Sequence, residues 1–177
     1  MIRFFILLIS LCSLTAAHAQ YQPVDDKSTV KFTVKNFGIN TGGHFSGLEG
    51  AIDFDKDHPE KAVFSMSVEA AKVNTDNDSR DNHLRKEEYF DAAKYPKITF
   101  KSEKITGKGG DFTVSGQLTI KGVTKTISFP FKAEPKDDGY LFEGSFQINR
   151  RDFKVGGNGV VLGDNVTVSL SVFARKK

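Results

Sequence analysis

Residues 166–172 read VTVSLSV: Val166, Val168, Leu170 and Val172 are apolar, and the residues between them are small and polar. Successive side chains of a strand point to opposite faces, so this stretch has one dry face and one wet face. That pattern marks an antiparallel sheet with one side in water. The same period recurs upstream. Val30, Phe32 and Val34 oppose Lys31, Thr33 and Lys35, while Phe64, Met66, Val68 and Ala70 oppose Ser65, Ser67 and Glu69. Phe112, Val114, Leu118 and Ile120 oppose Thr113, Ser115, Gln117 and Thr119. Alternation and β-branched content predict eight strands, at 28–37, 42–54, 62–73, 97–104, 111–121, 123–134, 139–149 and 165–175.

The links between these runs are short and carry turn residues, as in Lys108-Gly109-Gly110-Asp111 and Lys136-Asp137-Asp138-Gly139. Short links favour a meander, and closing an even set of strands removes exposed edges. The expected fold is therefore all-β: an eight-stranded antiparallel up-and-down barrel. Gly116 and Gly144 are read as bends and Pro130 as a bulge.

One segment departs from the pattern. Residues 74–96, NTDNDSRDNHLRKEEYFDAAKYP, are polar and helix-like. Asp78 is the expected N-cap, with Leu84, Glu87 and Glu88 at helical spacing, Phe90 and Tyr95 as anchors, and Pro96 as the stop. This makes one short helical insertion between strands three and four, placed at an end of the barrel.

Ahead of the strands, Arg3 precedes the apolar run 4–14, and Ala17-His18-Ala19 matches a small-x-small cleavage site. The run is too short to cross a bilayer, which takes about 20 apolar residues. Residues 1–19 are read as a signal peptide cleaved near Ala19, leaving residues 20–177 as one barrel domain in the periplasm or outside the cell. The leader takes with it the only cysteine, Cys12, so no disulfide is expected. The whole chain carries a net charge of +3, and loss of Arg3 lowers it by one. With no basic block, nucleic acid is not an expected partner.

Catalytic and metal patterns are weak. There is no nucleophile elbow, and Asp81 and His83, two residues apart on a helix, point away from each other. Asp53-x-Asp55-x-Asp57 has His58 at the glycine place of a calcium loop and Phe64 at the twelfth, and Asp76-x-Asp78, with Glu87 at the twelfth, has Arg80 and Asp81 where an oxygen ligand and glycine belong. The reading is of no enzyme, no metal and no cofactor. The chain has sixteen phenylalanines and no tryptophan; two lie in the leader, and many of the others fall where an inward residue is expected. An eight-stranded barrel is wide enough either to be filled by such side chains or to hold one ligand, and periodicity leaves both open.

The order of motifs resembles the YceI-like family of secreted polyisoprenoid-binding proteins. The residues that carry the likeness are Ser28-x-Val30-x-Phe32-x-Val34, Gly43-x-Phe45, Thr75 with Arg80-Asp81-x-His83-Leu84, and Phe90-Asp91. Tyr95-Pro96-x-Ile98-x-Phe100-x-Ser102, Gly116-x-Leu118-Thr119-Ile120-x-Gly122-Val123-Thr124 and Ile148-x-Arg150-x-Asp152-Phe153 continue it. Lys27 and Asn36 stand where the family commonly has histidine, and Lys154 where the late motif continues with glycine. The resemblance implies a lipocalin-like barrel with a hollow, oily centre and no catalysis. Its ligand would be a long-chain lipid such as a polyprenol, a polyprenyl phosphate or an isoprenoid quinone, held for transport, storage or sequestration, with transient membrane contact. The tail would lie against Phe32, Val34, Phe64, Met66, Val68, Ile98, Phe100, Phe112, Leu118, Ile120, Phe129, Phe142, Phe146, Val168 and Leu170. Arg80, Asp81, His83, Arg150 and Asp152 are the candidates for the mouth or a head group. The alternative reading is a filled barrel that serves as a stress-response or protein-interaction module.

Overall fold

The computed structural model describes residues 20–157 and 161–177. The expected leader, and positions 158–160 of the glycine-rich loop that Val155-Gly156-Gly157-Asn158-Gly159 is read to open before the last strand, lie outside the described residues. Among the described residues eleven strands form one antiparallel sheet: β1 (Gln20–Pro23), β2 (Thr29–Asn36), β3 (Ile39–Phe45), β4 (Glu49–Asp53), β5 (Val63–Glu69), β6 (Val73–Asn74), β7 (Lys97–Lys108), β8 (Asp111–Ile120), β9 (Val123–Lys136), β10 (Gly139–Asn149) and β11 (Leu162–Lys176).

The ladder shows how eleven strands make an eight-staved barrel. One edge of β11 pairs with β10, and the other pairs with β1 near its C-terminal end and with β2 farther back. β1 and β2 are thus halves of one stave, broken by a helical turn at Asp25–Lys27. β3 and β4 are halves of the second, β3 lying against β2 and β4 against β1. The third stave is β5, on β4, continued by β6, on β3. β7 to β11 follow singly, each paired with the next, and β11 closes on the first stave.

The expected up-and-down barrel is present with differences in detail, among them a break in the run 62–73, where a helical turn at Ala70–Lys72 parts β5 from β6. The first stave begins at Gln20 rather than at 28, and the run 42–54 breaks between β3 and β4, where Gly47 has φ +74. Pro130 is not a bulge: it sits in register opposite Thr113, and the register shifts fall at Ser102/Lys104 and Leu162/Val166. Pro130 instead follows the end of the β9–β10 ladder, which stops at Gly144↔Phe131. A residue without an N–H has nothing to give the next rung.

The insertion is helical only over α1 (Asp78–Leu84), and Glu87 and Glu88 fall in turns after it. Its N-cap is Asn77, whose side chain accepts from the Arg80 N–H at 2.9 Å, not Asp78.

The barrel is solid at one end. Phe54, entering from the loop after β4, is 2% exposed and meets Phe112, Tyr140 and Phe142 edge-on at 5.3, 5.3 and 5.2 Å. Tyr21, Phe64 and Phe131 complete this aromatic plug. Each such pair contributes about 0.5–1.5 kcal/mol beyond its buried area. The plug seals the end that carries β1 and leaves the end beneath α1 for a site.

Candidate functional site

Above the plug the barrel encloses a cavity of about 910 Å³. That is near the top of the range of roughly 300–1,000 Å³ usual for small-molecule sites. Its floor includes Phe64, Phe131 and Phe142, the upper edge of the plug. Phe32, Val34, Met66, Val68, Ile98, Phe100, Leu118, Ile120, Phe129, Phe146, Val168 and Leu170 form walls, together with Phe64 and Phe142 lower down. These are the residues of the expected tail face, with one exception. Phe112 is 3% exposed, stacks on Phe131 at 5.4 Å and belongs to the plug, so it does not line the cavity. It shares the inward face with Leu118 and Ile120 but lies next to the β7–β8 turn, at the filled end.

The chamber also has walls that the tail face omitted. Phe45 reaches in from β3, 5.5 Å from Phe32 and 5.3 Å from Phe90 of the insertion. Leu84 and Tyr89 line it from the same segment, and Ile148, Val155, Leu162 and Val166 from β10, the rim loop and β11. Phe45, Ile148 and Val166 continue alternations visible in the sequence, whereas the contribution of Tyr89 depends on how the insertion folds back. Close approach at Gly43 makes that return feasible. A Cβ there would lie 2.6 Å from the Asn74 carbonyl oxygen and 2.8 Å from the Phe32 ring.

The five polar candidates separate. Asp81 is 5% exposed and accepts from the Thr75 N–H at 2.9 Å and from the Thr75 hydroxyl. It does not line the cavity; it holds α1 to β6. Asp152 is exposed and also lies off the cavity wall. Arg150 does line it, at 3% exposure, but its donors are all engaged. Nε donates to the Gly163 carbonyl, Nη1 to those of Val155 and Gly157, and Nη2 to Leu162 and to Asp164. Five donors meet five acceptors, so Arg150 positions the rim and has no N–H left for a ligand.

Arg80 is different. It lines the cavity, and only its Nε and one Nη2 N–H are used, on the Thr75 hydroxyl at 2.7 Å and carbonyl at 2.6 Å. Three donors remain at the mouth. His83 is half exposed there, 5.0 Å from the Tyr89 ring and 3.7 Å from Glu88. With Asp81 bound to Thr75, Asp81 and His83 do not form an acid–base pair. The site is thus an apolar chamber with a short polar rim on which, among the described residues, Arg80 keeps donors free that Arg150 has spent, with Lys31 and Lys86 also at the lining.

The model of the YceI-like domain matches residues 21–174. A UPF0312 protein of Photorhabdus laumondii is 30% identical over 154 residues, covering 83% of this chain and 80% of that one. The crystal structure of Burkholderia cenocepacia BcnA superposes with a TM-score of 0.81 at 25% identity, over 85% of this chain and 98% of that chain. A polyisoprenoid binding domain from Saccharophagus degradans shares the fold, with a TM-score of 0.73 at 18% identity over 89% and 98% of the two chains. An apolar chamber in an eight-staved barrel and a family match spanning nearly every described residue lead to one conclusion: the chain belongs to the YceI-like domain family.

Proposed function

We propose that this protein binds a polyisoprenoid or a comparable long-chain amphiphile in its barrel cavity and carries or sequesters it in the periplasm. The observation that carries this reading is the 910 Å³ chamber, walled by phenylalanine and aliphatic side chains and plugged at one end. Burying a hydrocarbon there contributes roughly 0.8 kcal/mol per CH₂, so affinity comes from chain length rather than from specific contacts. The tail lies against the wall residues from Phe32 to Leu170, and an anionic or hydroxyl head group meets Arg80 and His83. The apolar leader at 1–19 supports export, and the polyisoprenoid-binding description of the Saccharophagus degradans protein supports the ligand class. Binding without catalysis fits a rim on which Asp81 is committed to Thr75 and Asp152 lies off the cavity wall. A filled barrel acting through its surface would describe only the plugged half.

Organic extraction of protein purified from its native host, followed by mass spectrometry, tests the reading. An isoprenoid or other long-chain lipid at near-stoichiometric yield is the expected result. No extractable lipid, together with no uptake of added polyprenol, would overturn it.

A further inference from the structure

The hairpin joining β2 to β3 turns through two residues, Phe37 with φ +50 and Gly38 with φ +78. Both central residues being left-handed makes this a primed hairpin turn, whose first position favours Asn, Asp or Gly. A phenylalanine there is an outlier, since its bulk disfavours positive φ. Nor does packing compensate: Phe37 is 74% and Ile39 71% exposed. A strained, solvent-facing aromatic at a turn tip calls for a function outside the folded core.

Its neighbours indicate which. The Phe37 N–H donates to the Val161 carbonyl at 2.8 Å, and Val161 is itself 44% exposed. Val161, Leu162 and Asn36 all line the cavity, so the exposed apolar patch runs directly into the chamber at its open end. The hairpin, residues 29–45, has no acidic residue and carries Lys31 and Lys35, both exposed and, among the described residues, without an ion pair. An apolar tip with Lys35 beside it and Lys31 farther down β2 complements the surface of an anionic bilayer, where rings enter the acyl boundary and ammonium groups meet lipid phosphate.

We infer that the Phe37–Ile39 hairpin tip is a membrane-docking element that sets the mouth of the cavity against an anionic lipid surface. The inference rests on the lipid-carrier reading only for what passes through the mouth; docking itself needs no cargo. One loop and two lysines give weak, reversible attachment, as suits a carrier that must leave again.

The test is flotation of the purified protein with vesicles of phosphatidylcholine containing phosphatidylglycerol, and with phosphatidylcholine alone, at two salt concentrations. Wild type is expected to float with the anionic vesicles and to release at high salt. Phe37→Asn with Ile39→Thr should lower binding at least tenfold while melting at the same or a higher temperature, because asparagine suits the turn. Lys31→Gln with Lys35→Gln should cost roughly fivefold per lysine and remove the salt dependence. Equal binding by wild type and the Phe37/Ile39 variant, or none by wild type, would overturn the inference. So would wild type dimerising through this face without binding vesicles. Polyprenol uptake from detergent-free solution, measured on the same variants, separates the two claims. A variant that no longer floats but still takes up polyprenol supports docking, and a wild type that floats but takes up none overturns the carrier reading instead.

Discussion

The carboxylate of Asp25 accepts the backbone N–H of Leu48 at 2.8 Å, and that of Gly47 at 2.9 Å. Asp25 lies in the break between β1 and β2, and Gly47 and Leu48 lie in the break between β3 and β4. One side chain therefore joins the two points where neighbouring staves lose their ladder. Hydrogen bonds to a charged group contribute about 1.5–3 kcal/mol each, less at this partly wet site. Asp25→Ala should lower the urea-unfolding free energy by about 2 kcal/mol, and Asp25→Asn by less. An alanine variant as stable as wild type would show that the breaks hold without this link.

Plug and chamber should respond differently to truncation. Phe112→Ala opens a void in solid packing and should cost about 3–5 kcal/mol. Phe100 borders empty space and is only partly buried. Phe100→Ala should cost under about 3 kcal/mol but weaken polyprenol binding roughly tenfold through lost apolar contact. Calorimetric melting alongside fluorescence titration checks both. The reverse ranking would place the ligand elsewhere.

Lys154 closes the turn after Phe153 with φ +57 and ψ +32, where the resemblance calls for glycine. A side chain in the left-handed region costs about 1–2 kcal/mol, partly offset by the lower chain entropy of a non-glycine residue when unfolded. Lys154→Gly should raise stability by about 0.5–1 kcal/mol, read as a higher urea midpoint at unchanged slope. The main-chain acceptor for Lys121 Nζ stays in place.

Tyr21 supplies a pH dependence. Its ring lies in the plug, edge-on to Tyr140 at 5.4 Å, and burial, reinforced by Tyr140 and Asp55, raises its phenol above the ordinary 10.0. The fold thus favours the neutral phenol. That contribution is whole below pH 10.0 and is lost as the pH climbs through the raised value. Between pH 10.0 and that raised value the urea midpoint of wild type should fall more steeply than that of Tyr21→Phe, which has no proton to lose. Parallel curves would remove Tyr21 as the cause.

Much of this is legible in the chain alone. Alternation in runs such as 166–172 identified staves and faces, because side-chain direction in a strand repeats every two residues whatever the strand pairs with. Short turn-forming links then required neighbouring runs to pair in order. The break in the second stave was hidden, since residues 42–54 keep a strand-like composition through Gly47. β1 was hidden because four residues are too few to show a period.

The sequence by itself determined that a closed antiparallel barrel forms and which side chains turn inward. Only the tertiary structure decided where the inside is full and where it is empty. Phe112 and Phe100 have the same parity, but parity says nothing of height along the barrel axis. Height follows from the register and from Phe54, which enters from a loop and fills one end. Likewise, the chain shows Arg80 and Arg150 as equals, and only the three-dimensional count of carbonyls around each leaves one of them with donors to spare.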